Sequence, residues 1–338
     1  MAAEPVLFGR THDGEPVHSL KITGGGLTVD LMSWGAGIRD LRMDGHDAPL
    51  VLGFEEFEHY PVHSPYFGVT AGRYANRIAH GRFTIDGTGH QLDRNEKGAN
   101  HLHGGTRGIG RRVWSIAEHG ADFCRFEIAD PDGHMGYPGN CGISCTYRLK
   151  PGGVLSVVLE AETDRPTLCN LAHHSYFNLD GGDTILDHEA MIAADHYLPV
   201  DGELIPTGEI CAVAGTEFDF TEMRPIRLGG RETPFGYDHN FCLSDARGPK
   251  RAVALVRSLC SGIAMEVWTG EPGLQFYTGL KLNVPVPGLD GRRYGSCGGF
   301  CMESQVWPDS PNHPQFPSAV LRPGTRLLQE TDYIFSRE

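Results

Sequence analysis

Wherever apolar and polar positions alternate legibly in this chain, the period is two. In Ile143-Ser144-Cys145-Thr146-Tyr147-Arg148-Leu149 the odd positions are apolar or aromatic and the even ones polar. Lys150-Pro151-Gly152-Gly153 then supplies a turn, after which Leu155, Val157, Leu159 and Ala161 again occupy odd positions. Side chains two apart share one face of a strand, so this stretch predicts a β-hairpin with one face on a core. Phe83 to Asp86 and His90 to Asp93, around Gly87-Thr88-Gly89, predict a second hairpin. Cys124, Phe126 and Ile128 face away from Arg125 and Glu127. Helix is expected only in short pieces such as Phe54 to Tyr60, ended by Pro61. Without helices of several turns between the strands, a parallel βαβ sheet is disfavoured. The expected fold is all-β, mainly antiparallel, with many strands feeding one sheet-on-sheet core in a large β-sandwich.

Length alone, 338 residues at about 150 per domain, would suggest two domains. No internal repeat and no Ser/Gly/Pro linker divides the chain, however. The Pro-rich patch from Val284 to Pro287 and the Gly-rich residues up to Gly299 read as one long surface loop inside a domain. Residues 1–338 are therefore expected to form a single domain.

Composition narrows the function classes. Lys+Arg number 29 against 43 Asp+Glu, a formal charge of -14, which opposes binding to a phosphate backbone. Nucleic acid is not an expected partner. No run of about 18 uncharged apolar residues offers a membrane span. The opening Met-Ala-Ala-Glu-Pro lacks the basic segment and apolar core of a secretory leader. Nine cysteines, an odd number in a long chain, fit reduced thiols in the cytoplasm better than a disulfide framework. Cys141-x3-Cys145 and Cys297-x3-Cys301 lack zinc-site spacing, and no second pair completes a tetrad. There is no Gly-x-Ser-x-Gly elbow and no Walker-type phosphate loop.

Candidate chemistry gathers in short stretches between strands: Gly72 to Ile78, Asn100 to Gly105, His173 to Leu179, Tyr237 to Phe241, Gly273 to Gly279 and Met302 to Asp309. Each mixes hydrogen-bonding side chains with aromatics and glycines. A pocket for a polyhydroxylated ring needs that mixture, with aromatics against C–H faces and Arg, Asn, Asp and Gln on the hydroxyls. Singly, each stretch has a plainer reading. His101 and His103 are either a metal pair on one strand face or two histidines satisfied by backbone near a Gly-Gly turn. His173 and His174 lie on opposite faces if extended, so only one can enter a given pocket. Arg73 and Arg77 serve equally well as salt-bridge partners. Glu303, between Phe300-Cys301-Met302 and Trp307, is either a surface carboxylate or a buried one with a reason to be there.

In order along the chain, Gly-Arg-x-Ala-Asn-Arg-Ile, Leu-His-Gly-Gly, His-Ser-Tyr-Phe-Asn-Leu, Tyr-Leu-Pro-Val-Asp, Ile-Pro-Thr-Gly-Glu, Asp-His-Asn-Phe, Gln-Phe-Tyr-Thr-Gly and Glu-x-Gln-x-Trp-Pro-Asp resemble the aldose 1-epimerase (mutarotase) family. The likeness runs from about Phe8 to Phe335. It implies the family's large antiparallel β-sandwich and interconversion of the α and β anomers of free aldohexoses, galactose and glucose among them. It implies Glu303 as base and His174 as acid, with Asn76, Arg77, His103, Asp238 and Gln275 on the sugar. No cofactor and no metal are implied. Many members carry Asn where this chain has His173; Arg73, His101 and His173 are left outside the site. Ordinary side-chain values near 4.3 and 6.5 make an ionised glutamate and a proton-donating histidine natural partners.

Four other readings compete, one of them a metal-dependent cupin-like enzyme, which metal analysis of the purified protein tests. A glycosidase would use paired carboxylates, here Asp238 and Glu303. A non-catalytic sugar-binding module on the same fold would have lost the acid or the base, and both are present. A hexose-phosphate epimerase would need a basic pocket for the phosphate.

Overall fold

A computed structural model describes residues 3–229 and 235–337; Met1 and Ala2 of the opening segment lie outside the described residues. The alternation around residue 150 forms the hairpin Cys141–Lys150 and Val154–Thr163. Cys145 pairs with Leu159, Tyr147 with Val157 and Leu149 with Leu155, all buried. Each large apolar side chain buried in this way contributes about 1.5–3 kcal/mol. The second hairpin joins Arg82–Ile85 to Thr88–Gln91 through Asp86 and Gly87, both at positive φ. A two-residue turn needs that backbone if it is to match the strand twist.

The larger hairpin lies within a nine-stranded sheet. Its order is Ser115–His119, Phe123–Asp130, Cys141–Lys150, Val154–Thr163, Leu327–Arg337, Ile263–Thr269, Arg251–Arg257, Glu189–Ile192 and Arg224–Pro225. Every pairing in it is antiparallel. A five-stranded sheet runs Cys211–Ala212, His196–Tyr197, Asp238–Cys242, Gly273–Tyr277 and Cys301–Gln305, also antiparallel. Val6–Arg10, Pro16–Gly24, Leu27–Met32 and Gly37–Met43 form a third sheet. Leu155, Val157, Leu159 and Tyr333 from the large sheet share one core with Leu274, Phe276 and Met302 from the five-stranded sheet. The fold is an all-β antiparallel sandwich.

That packing positions the chemistry. With Leu274, Phe276 and Met302 turned to the core, their neighbours Gln275, Tyr277 and Glu303 face the other way. Two side chains of Leu327–Arg337 brace the Glu303 strand from behind. Gln329 Nε2 donates to the Ser304 carbonyl at 2.7 Å, and the Tyr333 hydroxyl donates to the Met302 carbonyl at 3.0 Å.

One expectation is corrected. The α-helix expected from Phe54 to Tyr60 is instead His59–His63, with Pro61 inside it. Proline is tolerated in a first turn because the N–H it lacks would have no partner within the helix. The stretch from Val284 to Gly299 is a loop at the surface, with Pro287, Asp290, Arg293 and Ser296 exposed, and Val284, Leu289, Tyr294 and Cys297 anchor it in the interior. The Tyr294 hydroxyl donates to the Gly53 carbonyl at 3.0 Å and accepts the Leu289 N–H at 2.9 Å, supplying partners that a ladder would otherwise give. The nine cysteines are free thiols, Cys145 among the buried ones. No helix among the described residues is long and apolar enough to cross a membrane.

Candidate active site

Two-residue ladders bring distant residues to one spot. Arg77–Ile78 pairs with His101–Leu102, which sets Asn76 beside His103. The two residues lock reciprocally: Asn76 N–H donates to His103 Nδ1 at 3.1 Å, and His103 N–H donates to the Asn76 carbonyl at 3.0 Å. Both have positive φ, 64° and 48°. Gly104 follows at φ 86°, where a Cβ would lie 1.7 Å from the Gly72 carbonyl oxygen, so only glycine fits. Ala172–His173 pairs with Thr70–Ala71 and delivers His174 just beyond its end. In the five-stranded sheet Gln275 lies opposite Glu303, and Asp238 opposite Tyr277.

Asn76, Arg77, His103, His174, Asp238 and Glu303 together line a cavity of about 500 Å³. His174 Nε2 is 3.6 Å from Glu303 Oε1. Glu303 Oε2 has no hydrogen-bond partner among the described residues. A buried carboxylate oxygen without a partner is costly, and this one lies in the wall of the cavity. Gln275 is not in the wall. It stands behind Asp238 and donates from Nε2 to Asp238 Oδ1 at 2.8 Å, fixing that carboxylate. Arg77 is not a free cation either. Its Nε and Nη2 each donate at 2.8 Å to the two oxygens of Glu96, a residue the sequence reading passed over.

The flanking residues have structural occupations. Arg73 is buried against Asp130 at 2.8 Å and also donates to the carbonyls of Pro138 and Gly139. His101 donates from Nδ1 to the Asp93 carbonyl and accepts the Tyr137 hydroxyl, both at 2.6 Å. It does not face the way His103 does, because the left-handed backbone at His103 breaks the extended run that a strand-borne metal pair requires. His173 sits behind the site between the Tyr147 hydroxyl at 3.2 Å and Ser175 Oγ at 2.7 Å.

Burial sets the electrostatics. It pushes Glu303 well above the usual carboxylate range; the Asp238 charge adds to the rise and Arg77 opposes it. Burial lowers His174 to about 4 and takes His103 well below 6.5, with the charges of His174 and Arg77 lowering His103 further. Both imidazoles are therefore neutral near pH 7. By distance alone His103, His174 and Glu303 would close around a cation, their ligand atoms lying within 4.8 Å of one another. The donor chemistry is against it. His103 Nδ1 already accepts a backbone N–H, so the neutral ring carries its proton on Nε2, the nitrogen a metal would need bare.

Aromatic rings complete the wall. Tyr66, Tyr176 and Tyr277 line the cavity, and Lys97, Glu203 and Lys281 stand around it. Glu203 accepts from Asn100 Nδ2 at 2.9 Å. Tyr66 escaped the sequence reading because it lies in none of the stretches rich in polar residues. The hollow on the nine-stranded sheet is lined by charges that pair with one another, Arg125 with Glu127 and Glu160, and Arg326 with Glu160.

A family model described as aldose 1-epimerase matches residues 18–333. The chain is 44% identical over 341 residues to a galactose mutarotase of Rattus norvegicus, covering 98% of this chain and 97% of the relative. It is 37% identical over 338 residues to an aldose 1-epimerase of Escherichia coli K12, covering 96% and 97% respectively. The crystal structure of an aldose epimerase homologue from C. elegans superposes with a TM-score of 0.89 at 30% identity, covering 95% of this chain and 99% of that one.

Proposed function

The chain belongs to the aldose 1-epimerase family and is an isomerase that interconverts the α and β anomers of aldoses; from that premise we propose that Glu303 and His174 carry the proton transfers on a free aldohexose such as galactose or glucose. The observation that carries the residue assignment is the buried pair itself, His174 Nε2 at 3.6 Å from Glu303 Oε1 in the cavity wall.

Ring opening removes the proton from the C1 hydroxyl, forms the C1=O double bond, breaks the bond between C1 and the ring oxygen, and puts a proton on that oxygen. Rotation about C1–C2 and the reverse steps close the ring on the other aldehyde face. Glu303 takes the first proton and protonated His174 gives the second. The pair must then hold one proton in total at the start. A raised glutamate and a lowered histidine favour that count over a wide pH range. Opening moves the pair from carboxylate and imidazolium to carboxylic acid and neutral imidazole. That is the form burial favours, so the cost of first moving the shared proton from Glu303 to His174 is returned as the ring opens.

His103 has a different task in this reading. Neutral, with Nε2–H toward the cavity, it holds a sugar oxygen by donation without exchanging its proton. Asp238, steadied by Gln275, accepts from hydroxyls; Asn76 orients His103, and Arg77 faces the sugar with the edge that Glu96 leaves open. We treat residues 1–338 as one catalytic domain, since strands from residue 115 to residue 337 share one sheet. The nine free thiols support a reducing compartment, the cytoplasm. Lys97 and Lys281 at the cavity favour phosphorylated aldoses as a second reading.

The test is polarimetry of freshly dissolved α-D-galactose, α-D-glucose and galactose 6-phosphate, with protein dialysed against a chelator. Undiminished acceleration toward the same final rotation with the free sugars is expected. Acceleration confined to the phosphate would transfer the assignment to the second reading, and loss on dialysis would require a metal.

A further inference from the structure

Tyr66 holds a left-handed backbone, φ 69°, which a bulky side chain rarely adopts without a reason. Its ring centroid is 4.6 Å from that of His103 and 5.9 Å from that of His174, near-parallel to the latter at 26°. The Arg111 guanidinium lies 5.2 Å from the centre of the tyrosine ring. The tyrosine's segment is tied to the histidine's own backbone. Gly68 N–H donates to the His174 carbonyl at 2.9 Å, and His174 N–H donates to the Val69 carbonyl at 2.9 Å. One aromatic plate therefore touches both histidines of the site and is fastened to the strand end that carries one of them.

We infer that Tyr66, clamped by Arg111, is a positioning residue that keeps His103 and His174 oriented and out of water. The inference rests on the assignment of His174 and Glu303 above. The groups around His174 are few. Glu303 and Cys301 face it from Cys301–Gln305, with Cys301 Sγ 3.6 Å from its Nδ1. His103 and Tyr66 face it from their turns, and Tyr176 and His173 from its own segment. Cys301 and Tyr176 hold their protons, because burial raises both. Among these walls Tyr66 is the half-buried one that borders the cavity. Its loss would open His174 to solvent and ease protonation of the imidazole.

The experiment compares Tyr66→Phe, Tyr66→Ala and Arg111→Gln in the full chain. Two readings are taken: the pH profile of kcat/KM for galactose, and the ring titration of His174 by NMR. Tyr66→Phe keeps the ring but loses the contact of the hydroxyl with Arg111, so it is expected to move the profile no further than Arg111→Gln does. Tyr66→Ala is expected to move the acid limb and the His174 titration upward by about one pH unit or more, with the alkaline limb lagging, so that the bell narrows. Arg111→Gln should move both in the same direction by less, and serves where Tyr66→Ala does not fold. An Ala variant with the wild-type acid limb and an unmoved His174 titration overturns the inference. If His174 titrates higher while activity does not follow, Tyr66 is upheld as the wall and the assignment of His174 as acid falls.

Discussion

At Glu303 and His174 the environment reverses what the free side chains would do. Free values make glutamate the ionised partner and histidine the half-protonated one at neutrality. Buried together, the carboxyl is pushed up and the imidazole down to about 4, so the proton they share sits by preference on glutamate before the sugar reacts. Either partner alone cannot keep a one-proton inventory. Glu303→Gln and His174→Asn are each expected to lower kcat by about 10²–10⁴ while circular dichroism and melting stay near wild type. Polarimetric turnover near wild type in a folded variant would sink the pairing. Both residues stood out in the sequence through the blocks that carry the family resemblance. Glu96 and Tyr66 did not, because what makes them part of the site is spatial. Glu96 is recognised only when Arg77 is seen gripping it, and Tyr66 only when the fold folds it over two histidines.

Elements were legible in proportion to their length. Ten-residue strands such as Cys141–Lys150 repeat the alternation often enough to be read without a structure. Arg77–Ile78, His101–Leu102, Thr70–Ala71 and Ala172–His173 have two residues each, too few for any period, yet they align Asn76, His103 and His174. The helix begins later than the sequence predicts for a related reason: Pro61 marks a stop in the pattern but occupies a first turn in the fold. The turn that closes the long hairpin allows a local test of backbone against space. Gly152 and Gly153 both have positive φ, 85° and 73°. A Cβ at Gly152 meets nothing within 4 Å, whereas one at Gly153 would lie 2.1 Å from the Phe335 carbonyl oxygen. Gly152→Ala should therefore cost about 1 kcal/mol from backbone strain alone. Gly153→Ala should cost more, about 2–4 kcal/mol, since the central strand Leu327–Arg337 must also shift. Urea unfolding of the two variants checks the order, and equal costs would mean that the close approach to Phe335 is easily relieved.

Across the whole molecule, buried histidines couple the fold to pH. Burial lowers His101 to about 4, His173 to about 3 and His174 to about 4, and takes His103 well below 6.5. The unfolded chain protonates these rings near pH 6.5 while the folded chain resists, so the stability they contribute is full above that pH and is lost as pH falls toward 4. Glu303 and Glu271, both raised by burial, act with the opposite sign: the folded state keeps their protons above the unfolded value, and that contribution fades as pH rises. The two sets partly cancel in the wild-type curve, which makes a single-site comparison sharper. His173 is the suitable site, because it lies outside the cavity and its neighbours fix its protons: the Tyr147 hydroxyl donates to the Ala36 carbonyl at 2.6 Å, leaving its oxygen to accept from Nδ1–H while Nε2 accepts from Ser175. Protonation would fall on Nε2 and remove the acceptor that Ser175 uses, leaving a buried charge beside a hydroxyl that must turn around. His173→Asn removes one titrating ring, so its unfolding free energy should change less with acidification than that of wild type. The gap between the two proteins is expected to move in favour of the variant by about 2 kcal/mol from pH 7 to pH 5. Urea unfolding at both pH values reads this difference directly, and parallel curves would show that His173 is protonated in the folded protein as readily as in the unfolded chain.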